Sequence, residues 1–445
     1  MFFFDAVRDP KVECGAIRNY YEDVESAKAL DDFTLVVRWK KKLYGNLSST
    51  LGAGPLPRFI YKFNEDGSPI PQETLGIKFN QHWYNNKGYL GTGPYRMKEY
   101  KPGRLIVLER VDNHPVVQPA IKEIRYLIYT DQAQTTTKLK AGELDTGELL
   151  PGQYREEILR WEGKPKSEWP KNSPFLNGTL NCPKVDTPSY SYIGWNAHRP
   201  LFSDAKVRTA LTLAFNREAI VKDVYVGLGK VAVGPYLPSS PFHDPNIKPL
   251  PFDLERSKQL LSEAGWTDSD GDGLLDKEVD GKRTPFEFKL MIGSYPTVKA
   301  MANIFQNDLL KVGIKMTPDS VEWSLMQKRM EGREFDAYAA GWSLSWETDP
   351  YQIWHSSQAD IPRGSNAVGF KNAEVDRLIE TLRETFDNEK RTEMLRRIHQ
   401  IIHEQQPYSF FRTGQSVECL NSKLENTKFS PVRPVVNTLP WWVEQ

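Results

Sequence analysis

The stretch Tyr192–Gly229, YIGWNAHRPLFSDAKVRTALTLAFNREAIVKDVYVGLG, carries the clearest helix signals in this chain. Asp204 is a favourable N-cap, and the apolar residues that follow it recur with helical spacing on one face: Val207, Ala210, Leu211, Ala214 and Phe215. Asn216 can cap a second helix, which we expect to stop near Gly227 and Gly229 because glycine readily adopts the left-handed conformation of a helix end. The pattern predicts a strand, a loop and two short helices that meet at one capping residue.

The residues after Gly229 alternate between strand and helix patterns. The predicted strands are Phe286–Ile292, Ile314–Val321 and Phe335–Gly341, and the predicted helices are Leu254–Gly265, Val298–Val312 and Trp323–Glu331. This alternation is typical of βαβ units, so we predict an α/β fold with a parallel sheet. Helices are also predicted from Asn372 and Asn388, whereas Phe410–Gln445 is interpreted as irregular with short strands.

The balance of charge disfavours whole classes of partner. Lys plus Arg and Asp plus Glu both total 58, so no global field attracts nucleic acid or an anionic membrane. No apolar run approaches the roughly 18 residues that a membrane helix needs, and the opening Met1–Phe4 lacks the charged start of a signal peptide. Cys14, Cys182 and Cys419 form no CxxC pattern, so one disulfide is possible and none is required. We predict no cofactor.

One acidic turn is a weak metal candidate. Asp268, Asp270, Asp272 and Asp276 occupy positions 1, 3, 5 and 9 of a calcium-type loop. Position 12, where a glutamate would close the site, is Val279. A structural turn is therefore favoured over a calcium site, which stays open as an alternative.

Three motifs that suggest an enzyme or a phosphate site fail on inspection. His399 and His403 lie one helical turn apart, but no HExxH motif accompanies them, so they are interpreted as surface histidines. Ser203–Lys206 matches SxxK without its companion motifs. Gly91–Tyr95 is glycine-rich, but a predicted strand follows where a phosphate-binding helix would be needed. We therefore predict a binding protein that is not an enzyme.

The best candidate for a ligand site is the segment Gly341–Pro350, GWSLSWETDP. It follows a predicted strand of the α/β region, and open sheets place their ligands beyond the carboxyl ends of strands. Tryptophans beside hydroxyl and acidic groups favour a cleft wall, although a strand end packed on its own helices would look similar. The predicted ligand contacts are Trp342, Ser343, Leu344, Ser345, Asp349 and Trp354, together with Trp195 and Asn196 in the opening block.

Five ordered blocks of the chain resemble family 5 bacterial extracellular solute-binding proteins, the group that includes oligopeptide- and dipeptide-binding components of ABC importers. In chain order these are GTGPYRMKEYKPGRLIVLER, LKAGELD, NAHRPLFSDAKVRTALTLAFNREAIVKDVYVGLG, SKQLLSEAGWTDSDGDGLLD and FDAYAAGW. The resemblance implies a two-lobe periplasmic-binding-protein-like fold of type II. It also implies a monomer that captures a small ligand, in the periplasm or at the cell surface, for an importer permease.

The resemblance also implies how the ligand is held. In peptide-binding members the strand edge beside the residue matching Trp342 pairs with the ligand backbone, and an acid three residues later holds the ligand amine. That later position is Ser345 here, which puts a free-amine peptide in doubt but leaves backbone pairing at Ser343 possible. A peptide or peptide-like ligand is the main expectation, with a sugar oligomer, a metal chelate or heme as alternatives, and a hydrolase as a more distant one.

The resemblance further implies that the first part of the first lobe is missing. On that view 1–95 is a remnant of a small subdomain, 96–230 with 425–445 is the first lobe, and 231–424 is the second. The strand expected at Phe33–Trp39 would then lack partners and leave an open sheet edge.

Overall fold

The computed structural model describes residues 1–86, 90–129, 131, 133–279, 281–345, 349–430 and 435–443. These residues form two compact units. The first combines Met1–Met97 with Asp349–Leu395, and the second combines Lys98–Thr348 with Arg396–Gln445. Each unit therefore draws on two separate parts of the chain.

Helices and strands alternate through most of the described ranges. The helices are α1 (Phe2–Arg8), α2 (Asn46–Leu51), α3 (Arg58–Tyr61), α4 (Leu75–Asn80), α5 (Ala133–Lys140), α6 (Pro151–Glu157), α7 (Ala205–Leu213), α8 (Arg217–Asp223), α9 (Leu254–Glu263), α10 (Pro296–Leu310), α11 (Trp323–Glu331), α12 (Tyr351–Trp354), α13 (Ala373–Glu384) and α14 (Asn388–Gln405). The strands are β1 (Val24–Ala29), β2 (Leu35–Trp39), β3 (Tyr95–Lys101), β4 (Leu105–Arg110), β5 (Glu123–Leu127), β6 (Thr146–Leu149), β7 (Leu180–Asn181), β8 (Lys184–Trp195), β9 (Asp276–Val279), β10 (Lys282–Pro285), β11 (Glu287–Ile292), β12 (Lys315–Ser320), β13 (Ala337–Ser343), β14 (Tyr408–Asn421), β15 (Leu424–Glu425) and β16 (Trp442–Val443). The fold is mixed α/β, as predicted.

The largest sheet of the second unit is mixed rather than parallel. Among the described residues it has seven strands in the order β12-β11-β13-β8-β14-β6, with β7 also paired to β14. Strand β11 runs parallel to β12 and β13, whereas β8 and β14 run antiparallel to their neighbours. The parallel prediction is therefore right only for the three strands joined by helical crossovers. A helical crossover makes the two strands that it joins parallel. Strands β8 and β14 come from distant parts of the chain, so no crossover fixes their direction.

The capping residues identified in the sequence start their helices as predicted. The Asp204 carboxylate accepts a hydrogen bond from the Lys206 N–H at 2.8 Å, and the Asn216 side chain accepts one from the Ala219 N–H at 3.2 Å. Helix α8 ends at Asp223, a few residues before the positive-φ glycines that were expected to end it. The residues between the helix end and these glycines form an irregular exit.

The prediction for the C-terminal stretch is wrong in its first part. Strand β14 is 14 residues long and lies inside the sheet, between β8 and β6. Its register with β8 shifts between Phe410 and Arg412 and again between Thr413 and Gln415. Such bulges interrupt the alternation of side chains, and a strand covered on both faces shows little alternation in any case. The sequence pattern therefore did not reveal it.

The predicted strand near the start of the chain has a partner within the chain. Strand β2 pairs antiparallel with β1, and Phe33, expected to open the strand, lies outside it and is 99% exposed. The seven-stranded sheet takes β6 and β8 from the predicted first lobe and β11 to β13 from the second. The boundaries at 95, 230 and 424 remain predictions. No helix among the described residues is both long and apolar enough to cross a membrane.

Candidate functional site

The carboxyl end of β13 has an open edge. Strand β8 pairs with β13 along its whole length, from Ala337 to Ser343. On the other side, β11 pairs only with Ala337 and Tyr338. Among the described residues, the segment Ala339–Trp342 therefore has a strand neighbour on one side only. Backbone groups on an unpaired edge can accept an added strand.

A cavity of about 400 Å³ lies beside this edge, and we call it the β13 crevice. Ala339–Gly341 lines it next to Gly293, which directly follows the end of β11. Helices α10 and α11 supply Met301 and Trp323, and Phe411 of β14 adds a further apolar wall. Parallel strands that separate at their carboxyl ends leave the kind of space where α/β sheets bind ligands. The volume falls within the ~300–1,000 Å³ typical of small-ligand sites.

Two charged side chains line this crevice, and sequence reasoning missed both. Arg412 donates hydrogen bonds to the carbonyls of Leu228 and Thr413, at 2.9 and 3.3 Å, and its guanidinium lies over the Tyr225 ring at 4.4 Å. Burial lowers the pKa of Arg412. Glu148 is exposed. No motif marked either residue, because both become significant only when β6 and β14 meet.

The predicted contacts at the end of β13 lie at the edge of the sheet. Trp342 is half-buried, and its Nε1 donates to the Tyr408 hydroxyl at 3.4 Å. Ser343 is opposite Ser189 in register, and the Leu344 N–H donates to the Pro188 carbonyl at 2.7 Å. Ser345 is exposed. Their role in binding ligand stays a prediction.

Asp349 belongs to the first unit and already has a cationic partner. Its carboxylate pairs with Arg383 at 3.1 Å and accepts the Tyr351 N–H at 3.0 Å. Burial raises the pKa of Asp349, and Arg383 opposes that shift. Because Arg383 neutralises it, this carboxylate is a weak substitute for the amine-binding acid. Glu347, another acid of this segment, lies outside the described residues.

Three of the predicted ligand contacts are buried in the structure. Trp195 is fully buried, and its Nε1 donates to the Ser409 hydroxyl at 3.0 Å. Asn196 is 1% exposed and donates to the Phe335 carbonyl at 2.8 Å. Trp354 is 2% exposed and packs edge-on against Phe370, 5.6 Å between centroids. Such enclosure disfavours ligand contact for these three residues, and their role in binding ligand stays a prediction. Tryptophan fits a core as well as a cleft wall.

The acidic turn holds together through its own contacts. Asp268, Asp270 and Asp272 are exposed, and one oxygen from each lies within 4.8 Å of the others. Asp276 instead pairs with Arg283 at 2.7 Å, and Arg283 also reaches Asp270 at 2.6 Å. These contacts lower the pKa of Asp276 to about 2. An arginine already supplies positive charge here, which suits the structural interpretation; calcium binding stays a prediction.

The two histidines of α14 are not surface residues. His399 is fully buried, and its Nδ1 accepts the Asp244 N–H at 3.2 Å. His403 is half-buried, with Nδ1 2.9 Å from the Val233 carbonyl. The surface interpretation is therefore wrong, because the helix face that carries both residues packs into the second unit.

Comparisons with known proteins agree with this architecture. A model described as bacterial extracellular solute-binding proteins, family 5 Middle, matches residues 1–361. The oligopeptide-binding protein AppA of Bacillus subtilis (strain 168) is 33% identical over 447 residues, covering 98% of this chain and 75% of AppA. Di/tripeptide-binding protein 3 of Pseudomonas aeruginosa (strain UCBPP-PA14) is 28% identical over 353 residues, covering 78% of this chain and 60% of that protein. This chain thus spans about three fifths of that second relative.

Solved structures match over the whole chain. AppA from Bacillus subtilis in complex with a nonapeptide superposes with a TM-score of 0.83 at 30% identity, covering 100% of this chain and 82% of AppA. NikZ from Campylobacter jejuni in complex with Ni(L-His) has a TM-score of 0.78 at 20% identity, covering 99% and 81%, and this likeness concerns the fold alone. The fold is that of the periplasmic binding proteins, and the matching family consists of binding proteins rather than enzymes. The chain belongs to the bacterial extracellular solute-binding proteins of family 5.

Proposed function

We propose that this protein captures a peptide or peptide-like ligand and delivers it to an ABC importer. The observation that carries the proposal is the open edge Ala339–Trp342 beside the β13 crevice. An extended peptide can add to such an edge as a further strand, so its backbone supplies the hydrogen bonds. Backbone pairing is independent of side-chain identity, so the same edge can hold peptides of different sequence.

The chemistry of the crevice supports the same ligand class. Its walls are largely apolar and aromatic, and residues such as Tyr295, Val298 and Trp323 keep apolar surface accessible there. Peptide side chains can bury apolar surface there, at roughly 25 cal/mol per Å². The relative AppA is named an oligopeptide-binding protein, and its structure holds a nonapeptide. These points support a peptide over a sugar oligomer, a metal chelate or heme.

Backbone pairing can be tested with matched peptides by calorimetry. One set of alanine nonapeptides carries N-methylalanine at one position in turn, and the control set carries 2-aminobutyrate there. Both changes add one carbon, but only N-methylation removes an N–H. We expect N-methylation at alternate positions to weaken binding about tenfold, since a hydrogen bond and strand fit are lost. Equal affinities in the two sets would contradict strand addition.

The proposal excludes chemistry on the ligand. A bound peptide should be recovered unchanged by mass spectrometry after prolonged incubation, and a cleaved one would indicate a hydrolase. Native mass spectrometry of the purified protein identifies what copurifies. Recovery of a sugar oligomer, a metal chelate or heme in place of peptide would favour the alternative ligand classes.

We place the protein outside the cytoplasmic membrane, in the periplasm or at the cell surface, as a monomer that meets an importer permease. The disulfide between Cys182 and Cys419 supports this, because disulfides persist in oxidising compartments. Light scattering across a range of concentrations tests the monomer. Fractionation of the native cells tests the location, and recovery in the cytosol would contradict it.

A further inference from the structure

Glu148 is the one charged side chain lining the β13 crevice for which the described part of the chain provides no hydrogen bond. The other charged lining residue, Arg412, donates from one terminal nitrogen to the carbonyls of Leu228 and Thr413 and lies over the face of Tyr225, while its buried Nε has no partner among the described residues. The Glu148 carboxylate makes no hydrogen bond or ion pair within the described part of the chain, whereas its backbone lies in the ladder between β6 and β14. Its carboxylate oxygens are therefore available to a ligand.

The surroundings of Glu148 disfavour its negative charge even though the residue is exposed. It lies on β6 directly opposite Glu418 of β14, so two carboxylates face each other across one strand pair. The Glu418 carboxylate accepts a hydrogen bond from the Ser416 hydroxyl at 2.8 Å. The Glu148 carboxylate has no such donor among the described residues. Partial loss of water and repulsion from Glu418 raise the pKa of Glu148, and Arg412 offsets this only in part. A cationic group of a ligand would offset both the loss of water and the repulsion from Glu418.

We propose that Glu148 is the counter-ion for a cationic group of the ligand, an ammonium or guanidinium, bound in the β13 crevice. This inference rests on the proposed peptide-binding function and adds a preference for charge to it. Partly exposed apolar residues of the same crevice, such as Leu150 and Trp323, suit the aliphatic stem of lysine or arginine, whose charged end then reaches the carboxylate. Glu148 is exposed, so solvent and ligand can reach it.

The test compares lysine with norleucine, which lacks only the terminal amine. Alanine nonapeptides carry one or the other at each position in turn, and calorimetry measures their affinities for wild type, Glu148→Gln and Glu418→Gln. We expect wild type to prefer lysine about tenfold for at least one position, as for a charge-assisted contact. Glu148→Gln should reduce this preference to under about threefold, whereas Glu418→Gln, which lies outside the crevice lining, should retain it.

The cation can come from a side chain or from the peptide N-terminus. An N-acetylated copy of each peptide separates the two sources. A lysine preference that disappears in Glu148→Gln identifies a side chain, and an acetylation penalty that disappears there identifies the terminal amine; either result supports the proposal. If wild type binds the peptides but Glu148→Gln changes neither the lysine preference nor the acetylation penalty, this inference alone is wrong. If wild type binds none of them, the peptide-binding function is wrong as well.

Discussion

The indole Nε1 of Trp342 lies 3.4 Å from the hydroxyl oxygen of Tyr408, so the end of β13 is tied to β14 across the intervening strand β8. Trp342 faces Tyr190 of β8 in register, and Tyr408 stacks on Tyr192 with ring centroids 3.8 Å apart. A continuous group of aromatic rings therefore supports the tryptophan from below. The contact with Tyr408 restricts the position of the Trp342 ring at the end of β13.

Replacing Trp342 tests whether it contacts ligand. We expect Trp342→Ala to weaken binding of a nonapeptide by about 1–3 kcal/mol, the usual contribution of an aromatic anchor. Trp342→Phe keeps an aromatic ring without the N–H and should lose less. Calorimetry and thermal unfolding should be run on each variant. Normal binding by Trp342→Ala with a large loss of stability would instead identify Trp342 as a core residue.

Because position 345 is a serine, we predict that the affinity for a peptide depends only weakly on its terminal amine. A serine hydroxyl cannot neutralise an ammonium, and Asp349 is already paired with Arg383. Acetylating the N-terminus of a bound peptide should therefore change its affinity less than about tenfold, or ~1.4 kcal/mol. Ser345→Asp should make acetylation more costly. A hundredfold loss in the native protein would mean that another acid holds the amine, with Glu347, Asp349 and Glu148 the first to mutate.

Burial of His399 predicts a loss of stability in acid. Burial and the neighbouring His243 and His403 lower the pKa of His399 from 6.5 to about 3, while Asp244 opposes this. Between pH 6.5 and pH 3 the His399 imidazole is protonated in the unfolded state but neutral in the folded state. The stability that its neutral form contributes is therefore complete above pH 6.5 and is lost as the pH falls towards 3. It amounts to about 2 kcal/mol between pH 7 and pH 5.

Denaturant unfolding at both pH values measures this effect. In His399→Asn, the difference in unfolding free energy between pH 7 and pH 5 should shrink by most of those ~2 kcal/mol. The variant also alters packing, so this difference is compared between proteins and the absolute stabilities are not. His403 stays in the variant and keeps its own smaller contribution, since its pKa is also lowered by burial. The exposed His198→Asn is the matched control. An unchanged slope in His399→Asn would show that His399 is not the group responsible.

The Cys182–Cys419 disulfide closes a long loop and should stabilise the second unit. Its cysteines are 237 residues apart in sequence, and Cys419 is fully buried on β14. Such a crosslink restricts the unfolded chain, and we expect its loss to cost about 2–5 kcal/mol. Calorimetric melts of Cys182→Ala/Cys419→Ala measure the cost, with Cys14→Ala as a control. Reductant should lower the melting temperature of wild type and leave the double variant unchanged; equal effects would contradict a native disulfide.

Local signals in the sequence predicted most helices of the second unit. Helix α11 runs from Trp323 to Glu331 as expected, and Asp204 and Asn216 start α7 and α8. Capping and helical periodicity depend on residues a few positions apart, so they can be seen in the chain itself. The same holds for the family resemblance, because its blocks are contiguous segments. Family and α/β class were therefore available from the sequence.

The composition of the site depended on contacts between distant segments. A tryptophan looks alike in a core and in a cleft wall, and only the packing shows that Trp195 is enclosed while Trp342 stands at an edge. Glu148 becomes notable only once β6 pairs with β14 and places it opposite Glu418 in the wall of the crevice. Sequence periodicity reports which face of an element is apolar; which residues meet across that face is decided by the tertiary fold.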